Sequence, residues 1–136
     1  MPAATEGRMT KRRDGRKMSL PVAANTKLLI GCMVALNTTG VAVHASAIAT
    51  LKVQGVAETE ADNTGGVASA IQVQIDRQGW FLFANSAGAD QIALTDVGSN
   101  CFAVDNQTVA KTSATNTRSV AGVIRDVEAE GVWISF

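Results

Sequence analysis

The sequence predicts an all-β fold: a single-domain antiparallel β-sandwich or jelly-roll-like barrel with an extended basic N-terminal arm. The first observation is that short apolar stretches alternate, at fairly regular spacing, with turns rich in Gly, Asn, Asp and Thr. The second is that no stretch has the periodicity of a convincing amphipathic helix. A chain of 136 residues is long enough to bury one core. We therefore expect an arm and connector over residues 1–27 and a β body over residues 28–136.

The charge distribution separates the arm from the body. Residues 1–27 hold seven basic residues and two acids, a formal +5, whereas residues 28–136 hold five basic residues and ten acids, a formal −5. Such asymmetry indicates that the arm contacts an acidic surface, although a solvated tail explains it equally well. The candidate contact residues in the arm are Arg8, Lys11, Arg12, Arg13, Arg16 and Lys17.

The most apolar run, residues 28–36, is expected to form one buried strand, because it is too short to span a membrane as a helix. An alternative is a secretory signal, since basic residues precede the run and small residues follow it. Leu29 to Cys32 also resembles the lipobox of bacterial lipoproteins, which would make the chain a secreted or lipid-anchored binding module.

The next strands are short. Residues 37–40 form a turn, Val41 begins a second strand, and residues 51–56 form a third, in which Gly55 marks a bulge or a close approach of two backbones. Residues 58–66 are expected to be a polar, acidic loop.

A central hairpin is predicted over residues 69–85. Apolar residues alternate with polar ones from Ile71 to Ile75, residues 76–79 fit a type I turn, and an apolar return stretch begins at Trp80. Closing this turn places three apolar pairs on one face: Ile75 with Trp80, Val73 with Leu82, and Ile71 with Ala84.

The same register leaves Phe81 and Phe83 on the opposite face of the hairpin. A second sheet layer of the same chain is the favoured cover, since large exposed apolar patches are uncommon on monomers. The alternative is that Phe81 and Phe83 bind a partner.

The C-terminal third repeats this pattern. Strands are expected at residues 101–104, 109–111, 118–127 and 132–136. The turn at residues 128–131 places Val127 opposite Val132 and, by continuation, Phe136 opposite Val123.

No residue set nominates a reaction, so we expect no enzyme activity, no cofactor and no metal. His44 is the single histidine and has no carboxylate near it in sequence, which favours an incidental strand residue over a catalytic base. Cys32 and Cys101 lack the spacing of a metal site and are expected to be reduced, buried thiols. The alternating acids from Glu58 to Asp62 lack the glycine and terminal acid of an EF-hand loop.

From Gly55 onward the sequence resembles the capsid cement (head decoration) proteins of tailed bacteriophages. The matching segments are residues 55–58 (GVAE), 79–86 (GWFLFANS), 96–98 (DVG), 101–110 (CFAVDNQTVA), 121–124 (AGVI) and 131–133 (GVW). The basic arm has no counterpart in this resemblance.

The resemblance implies a structural virion protein without enzyme activity. Its β-sandwich or jelly-roll-like body would bind the outer surface of a phage head and bridge neighbouring major capsid proteins. We also expect contact between copies on the capsid, assembly in the host cytoplasm, and neither a membrane nor a specific nucleic acid as partner, because the acidic body has no basic face studded with aromatic residues.

Overall fold

A computed structural model describes residues 3–136, and it confirms the all-β class with antiparallel sheets and a small barrel. Two 3-10 turns, Gly88–Asp90 and Leu94–Asp96, are the helical segments of the described chain. The strands are β1 (Lys17–Pro21), β2 (Lys27–Leu28), β3 (Met33–Leu36), β4 (Ala42–His44), β5 (Lys52–Ala57), β6 (Ala61–Asp62), β7 (Gln72–Asp76), β8 (Phe81–Asn85), β9 (Asn100–Ala103), β10 (Thr108–Ala110), β11 (Val120–Glu128) and β12 (Gly131–Ser135).

The first sheet has the order β1-β7-β5-β3-β4, and its named strand pairs are antiparallel. An isolated parallel bridge joins Val22, just after β1, to Ala42 in β4 at the far edge. The sheet therefore curls until its two edges meet. The two-stranded ribbon of β2 and β6 contributes Leu28 and Ala61 to the interior of this curled sheet.

The second half of the chain forms a closed five-stranded barrel in the order β10-β8-β12-β11-β9. Its pairs are antiparallel except for β10 with β8, where Thr108 lies beside Ala84 in a parallel register. Closure removes the free sheet edges that would otherwise invite pairing with other chains.

Two apolar clusters fill the molecule, and β3 contributes to both. Val34 lies in the sheet core, the cluster enclosed by the curled first sheet, together with residues such as Val73 and Ile75. Met33 and Ala35, which point to the opposite face of the same strand, lie in the barrel core, the cluster that fills the barrel. The strand is therefore buried on both faces and joins the two halves into one domain.

The predicted hairpin over residues 69–85 is wrong, because β7 and β8 belong to different sheets. Ile75 pairs with Met18 of β1 and Ala57 of β5, so both edges of β7 are occupied. Leu82 pairs instead with Trp133 of β12. The alternation of buried and exposed residues in β7 is as predicted, but the chain crosses from the first sheet to the barrel between the two strands.

The predicted position of Trp80 is wrong for the same reason. Its side chain has no partner face opposite Ile75 and is 58% exposed. Gly79, which precedes it, has a φ of +98°, in the left-handed region that glycine adopts without strain. The predicted type I turn is not seen as a hydrogen-bonded turn: Gln78 and Gly79 bend the chain, and the segment redirects it from the first sheet to the barrel rather than closing a hairpin.

The hairpin of β11 and β12 is confirmed at its turn and shifted at its far end. Val127 pairs with Val132 as predicted. A register shift between Ile124 and Asp126 then inserts one extra residue, so Val123 pairs with Ser135 and not with Phe136. A β-bulge of this kind displaces every later pair by one position.

The apolar run over residues 28–36 does not form one strand. Leu28 is buried in β2, Ile30 is 66% exposed, and Gly31 turns the chain with a φ of +80° before β3 begins at Met33. Hydrophobicity alone could not reveal this interruption, because the exposed residues in the turn are as apolar as the buried ones.

Residues 17–27, expected as the end of the arm and a connector, belong to the folded body. They include β1, which pairs with β7 over five residues, and buried side chains at Leu20 and Val22. Pro21 and Asn25 interrupt the alternation of apolar and polar residues in this segment, so the sequence pattern did not indicate a strand.

Gly55 is confirmed as a close-approach site. A side chain at this position would place its Cβ 2.6 Å from the carbonyl oxygen of Asp76 and 2.7 Å from Cγ2 of Ile75. A register shift in the pairing of β3 and β5 occurs beside it, between Val34 and Ala35. Glycine therefore allows β5 and β7 to pack against each other at a bulge.

Candidate functional site

The described part of the basic arm, residues 3–16, is exposed throughout and contains no strand or helix. Met1 and Pro2, which the prediction included, lie outside the described residues. Within residues 3–136, the side chains of Arg8, Lys11, Arg12 and Arg13 form no ion pair. The arm therefore presents uncompensated positive charge to its surroundings.

The base of the arm is fixed to the body. The backbone N–H of Arg77 donates to the carbonyl oxygen of Arg16 at 3.0 Å, which extends the pairing of β1 and β7 by one residue. Lys17 forms an ion pair with Glu58. Of the six predicted contact residues in the arm, Lys17 is thus already engaged within the chain.

Phe81 and Phe83 are covered by the same chain, as the favoured interpretation expected. Phe83 is 5% exposed and Phe81 is half-buried, and both pack in or against the barrel core. The ring of Phe136 lies with its centroid 5.4 Å from Phe81 and 6.2 Å from Phe83. Phe83 therefore offers little surface to a partner, whereas part of Phe81 remains accessible. These rings lie in the barrel, not in the sheet that carries the arm.

A groove of about 840 Å³ lies where the first sheet and the barrel meet, and no sequence pattern indicated it. One wall consists of residues around β5, and the other consists of the start of β11 and the loop before it. The lining residues that matter most are Leu51, Lys52, Val53, Phe102, Ser119 and Val120.

The loop at residues 113–118 forms one end of the groove and has an unusual backbone. Ala114, Thr115 and Asn116 have φ angles of 50°, 59° and 62°, the left-handed region that costs a non-glycine residue about 1–2 kcal/mol. The carbonyl oxygen of Ser113 accepts from the N–H groups of Thr117 and Arg118, which holds the loop in this shape.

The Arg118 side chain ties this loop to the rest of the barrel. Its guanidinium lies 3.2 Å from the Asp90 carboxylate. Hydrogen bonds from Thr112 and Arg118 lower the pKa of Asp90 from its ordinary value. The loop is therefore held from both ends, and the shape of the groove is built in.

Ser119 is the polar feature of the groove that lacks a partner. The residue is 5% exposed, and its hydroxyl has no hydrogen-bond partner among the described residues. Its backbone carbonyl accepts from the N–H of Ala103 at 2.9 Å, so the backbone at this point is fixed. A buried hydroxyl without a partner costs free energy.

His44 lies on strand β4, as the sequence predicted, and acts as a structural acceptor. Its Nε2 accepts from the backbone N–H of Leu29 at 3.0 Å, and partial burial lowers its pKa. In the described residues no group of three or more His, Cys, Asp or Glu side chains is arranged to hold a metal.

Both cysteines are free thiols. Cys101 is buried as expected, and burial raises its pKa to about 11. Cys32 is half-buried, and its pKa is raised by burial and by the nearby Asp105 carboxylate. Neither environment favours a reactive thiolate.

No helix within residues 3–136 combines the length and the apolar character needed to cross a membrane. Comparison with protein-family models, with curated proteins and with solved structures found no match to this chain.

Proposed function

We propose that this chain is a structural virion protein that binds the outer surface of a phage head and bridges neighbouring major capsid proteins. The observation that carries the proposal is the exposed arm of residues 3–16, whose basic side chains are unpaired within the described chain although the body is acidic. The ordered set of segments from residue 55 that resembles capsid cement proteins supports the same function.

The arm suits repeated contacts with acidic protein surfaces. Guanidinium groups form charge-assisted hydrogen bonds with carboxylates, often through two parallel N–H donors. One exposed ion pair contributes only about 0–1 kcal/mol, so several arm residues have to act together. The pairing of β1 with β7 ties the arm to a rigid sheet, and a contact made there is transmitted to the body.

The body supplies the remainder of the contact. A stable interface buries on the order of 1,000 Å² or more, which an arm of this length and one face of the body provide together. On a shell with many equivalent positions, neighbouring copies also lie close enough for contact between them, so attachment strengthens through avidity. The half-exposed Phe81 is available for such a contact.

The alternative of a secreted or lipid-anchored module has less support. Cleavage before Cys32 would remove β1 and β2 together with Leu20, Val22 and Leu28, all of which are buried in the sheet core. Loss of three buried aliphatic side chains and the edge strand would cost more than most domains of this size can tolerate.

The test is attachment of the purified full-length chain to phage heads that lack it, measured by co-sedimentation. A variant with Arg8, Lys11, Arg12 and Arg13 changed to alanine is expected to bind more weakly. Binding of the unaltered chain is expected to fall between about 0.15 M and about 1 M salt, as the Debye length shortens from about 8 to about 3 Å.

The matched control changes Arg8, Arg12 and Arg13 to lysine, which keeps the charge and is expected to retain most of the binding. Lys17 is left unaltered because it is already paired with Glu58 within the chain. Equal occupancy of heads by the alanine variant and the unaltered chain at both salt concentrations would contradict the role of the arm.

A further inference from the structure

The loop between β10 and β11 contains a run of left-handed backbone at residues that have side chains. Ala114, Thr115 and Asn116 have consecutive φ angles of 50°, 59° and 62°, whereas elsewhere in residues 3–136 a non-glycine residue with positive φ occurs only singly. Residues with a Cβ visit this region as single residues, and a β-branched residue such as Thr115 is a genuine outlier there. Residues 113–117, the left-handed turn, are therefore strained.

The hydrogen bonds inside the left-handed turn fix its shape but do not offset its strain. The carbonyl oxygen of Ser113 accepts from the backbone N–H groups of Thr117 and Arg118 at 2.9 and 3.1 Å, and the Ser113 hydroxyl accepts from the N–H of Asn116 at 3.1 Å. Residues 115–117 are exposed, so water would satisfy the same groups in another conformation and the net gain from these bonds is small. Contacts outside the turn have to hold it.

Asp90 supplies such contacts at both ends of the turn. Its carboxylate accepts a hydrogen bond from the Thr112 hydroxyl at 2.5 Å, immediately before the turn, and one from the Arg118 guanidinium at 3.2 Å, immediately after it. The same guanidinium nitrogen donates to the carbonyl oxygen of Thr112 at 3.2 Å. Charge-assisted bonds of this kind are stronger than neutral ones. They hold residues 112 and 118 together, and the five residues between them have to close a tight loop.

The segments on either side of the turn are fixed independently of it. The backbone N–H of Lys111 donates to the backbone carbonyl oxygen of Asp90 at 2.9 Å, and the carbonyl oxygen of Ser119 accepts from the N–H of Ala103 at 2.9 Å. A change of conformation within the turn therefore requires no movement of the barrel strands. Since two residues of the turn line one end of the groove, the conformation of the turn sets the shape of that end.

We propose that the left-handed turn has two conformations and that the Asp90 carboxylate selects the strained one. While the carboxylate binds Thr112 and Arg118, the turn is left-handed and forms one end of the groove. When these bonds are broken, Arg118 is released, the two ends of the turn separate, and residues 114–116 relax to negative φ. Strain that the surrounding structure holds in place is typical of segments that switch. The inference does not rest on capsid binding, because it uses no residue of the arm.

The first experiment weakens the contact while keeping the size of the side chain. Asp90→Asn leaves one neutral acceptor in place of two charged oxygens. Hydrogen exchange at the backbone amides of Thr117 and Arg118 is expected to accelerate about tenfold, because their shared acceptor on Ser113 moves away as the turn relaxes. Exchange at the rates of the unaltered chain would overturn the proposal.

A matched control and a second variant accompany this measurement. Asp62 also accepts a hydrogen bond from a threonine hydroxyl, that of Thr64, but it lies in β6, so Asp62→Asn is expected to leave exchange at Thr117 unaltered. Arg118→Gln breaks the Asp90 contact from the other partner and is expected to accelerate exchange at Thr117 as Asp90→Asn does. Acceleration by the Asp62 variant to the same extent, or none by the Arg118 variant, would refute the role of Asp90.

A second measurement tests the strain itself. Thr115→Gly removes an exposed side chain from the middle of the turn, and glycine adopts positive φ without strain. Its effect on Tm is expected to be more favourable by about 3 °C in the unaltered chain than in Asp90→Asn, where the turn has already relaxed. The flexibility that glycine adds to the unfolded chain is the same in both backgrounds and cancels in this comparison. Equal shifts of Tm in the two backgrounds would show that Asp90 does not hold the turn under strain.

Discussion

The Nε2 atom of His44 accepts a hydrogen bond of 3.0 Å from the backbone N–H of Leu29. This contact fixes the exposed turn before β3 to strand β4, and it requires the neutral form of the imidazole, because a protonated ring nitrogen has no lone pair to accept with. Burial acts in the same direction by lowering the pKa of His44 from its ordinary value near 6.5.

Stability is expected to decrease as the pH falls below about 6.5. The unfolded chain binds a proton at His44 more readily than the folded chain, so acidification favours unfolding until the folded-state pKa is also passed. Well above pH 6.5 both states are neutral at this residue, and the contribution is constant. Urea-unfolding midpoints measured between pH 7.5 and pH 5 test this.

The control for that experiment is His44→Gln, whose amide oxygen can accept from Leu29 but does not titrate. Since His44 is the single histidine, this variant should show a nearly flat midpoint over the same pH interval. A pH dependence as steep as that of the unaltered chain would show that another group is responsible.

Phe83→Ala is expected to destabilise the fold by about 3–5 kcal/mol, because this ring is buried in the barrel core and contacts Phe136. Trp80→Ala is the matched change of a large aromatic residue three positions earlier. Since Trp80 is mostly exposed, its loss should alter stability by no more than about 0.5 kcal/mol. Thermal and chemical unfolding of both variants measure the difference. A larger loss of stability for Trp80→Ala than for Phe83→Ala would contradict this burial and would favour the predicted hairpin, in which Trp80 lies opposite Ile75.

Gly55→Ala is expected to destabilise the chain by about 1–3 kcal/mol, because the added methyl group would overlap the Asp76 carbonyl and the Ile75 side chain. Gly15→Ala in the arm is the control, since its Cβ would meet no atom within 4 Å. Unfolding free energies from denaturant titration give the comparison. Equal stability of the two variants would mean that β5 and β7 separate easily.

Asn63 is a buried polar residue that the sequence did not distinguish from its loop. It is 4% exposed, and its side-chain amide donates to the carbonyl oxygens of Ala23 and Val67, each at 2.9 Å. Asn63→Ala would leave the Ala23 carbonyl oxygen without this donor, whereas the Val67 oxygen still accepts from the N–H of Ala70 at 3.2 Å. The loss should cost about 1–3 kcal/mol. Asn100→Ala, at an exposed position on β9, should cost much less.

Asn63→Asp provides a sharper version of the same experiment. An ionised carboxylate has no donor for the two carbonyl oxygens and brings a charge into a buried site. The aspartate variant should therefore be less stable than the alanine variant at pH 7, and the gap should narrow as the pH falls and the carboxyl group is protonated. A gap that does not depend on pH would contradict this account.

The two cysteines are expected to differ in reactivity. A disulfide reagent such as DTNB should modify Cys32 in the native chain, slowly because its pKa is raised, and should reach Cys101 only after denaturant is added. The variant Cys32→Ser should give almost no reaction until the chain unfolds. Rapid modification of that variant in native buffer would show that the barrel opens readily.

The strands were easier to predict than their partners. The alternation from Gln72 to Asp76 and the acid-to-glycine turn at residues 128–131 are local features, so β7 and the hairpin of β11 and β12 could be recognised. Pairing of β7 with Met18 and Ala57 depends on residues distant in sequence. Alternation indicates which face is buried, but it carries no information on which strand lies alongside.

One candidate site could be predicted from local sequence features, and the other could not. Exposure of the arm followed from its composition, because a stretch with several charges and few apolar residues cannot bury itself. The groove could not be predicted, since its walls come from β5 and β11, which meet only in the folded chain. That the Ser119 hydroxyl lacks a partner could not be predicted either, because nothing in the sequence around this serine indicates it.

The position of strand β3 couples the unfolding of the first sheet to the unfolding of the barrel. Its side chains alternate between the sheet core and the barrel core, so neither half retains a complete interior without it. A cut in the exposed segment between β7 and β8 would not release two autonomous folding units, since the second half would lose Met33, Ala35 and Val56 from its interior. Denaturation should therefore proceed as a single cooperative event, and neither half can be exchanged with another protein as an independent module.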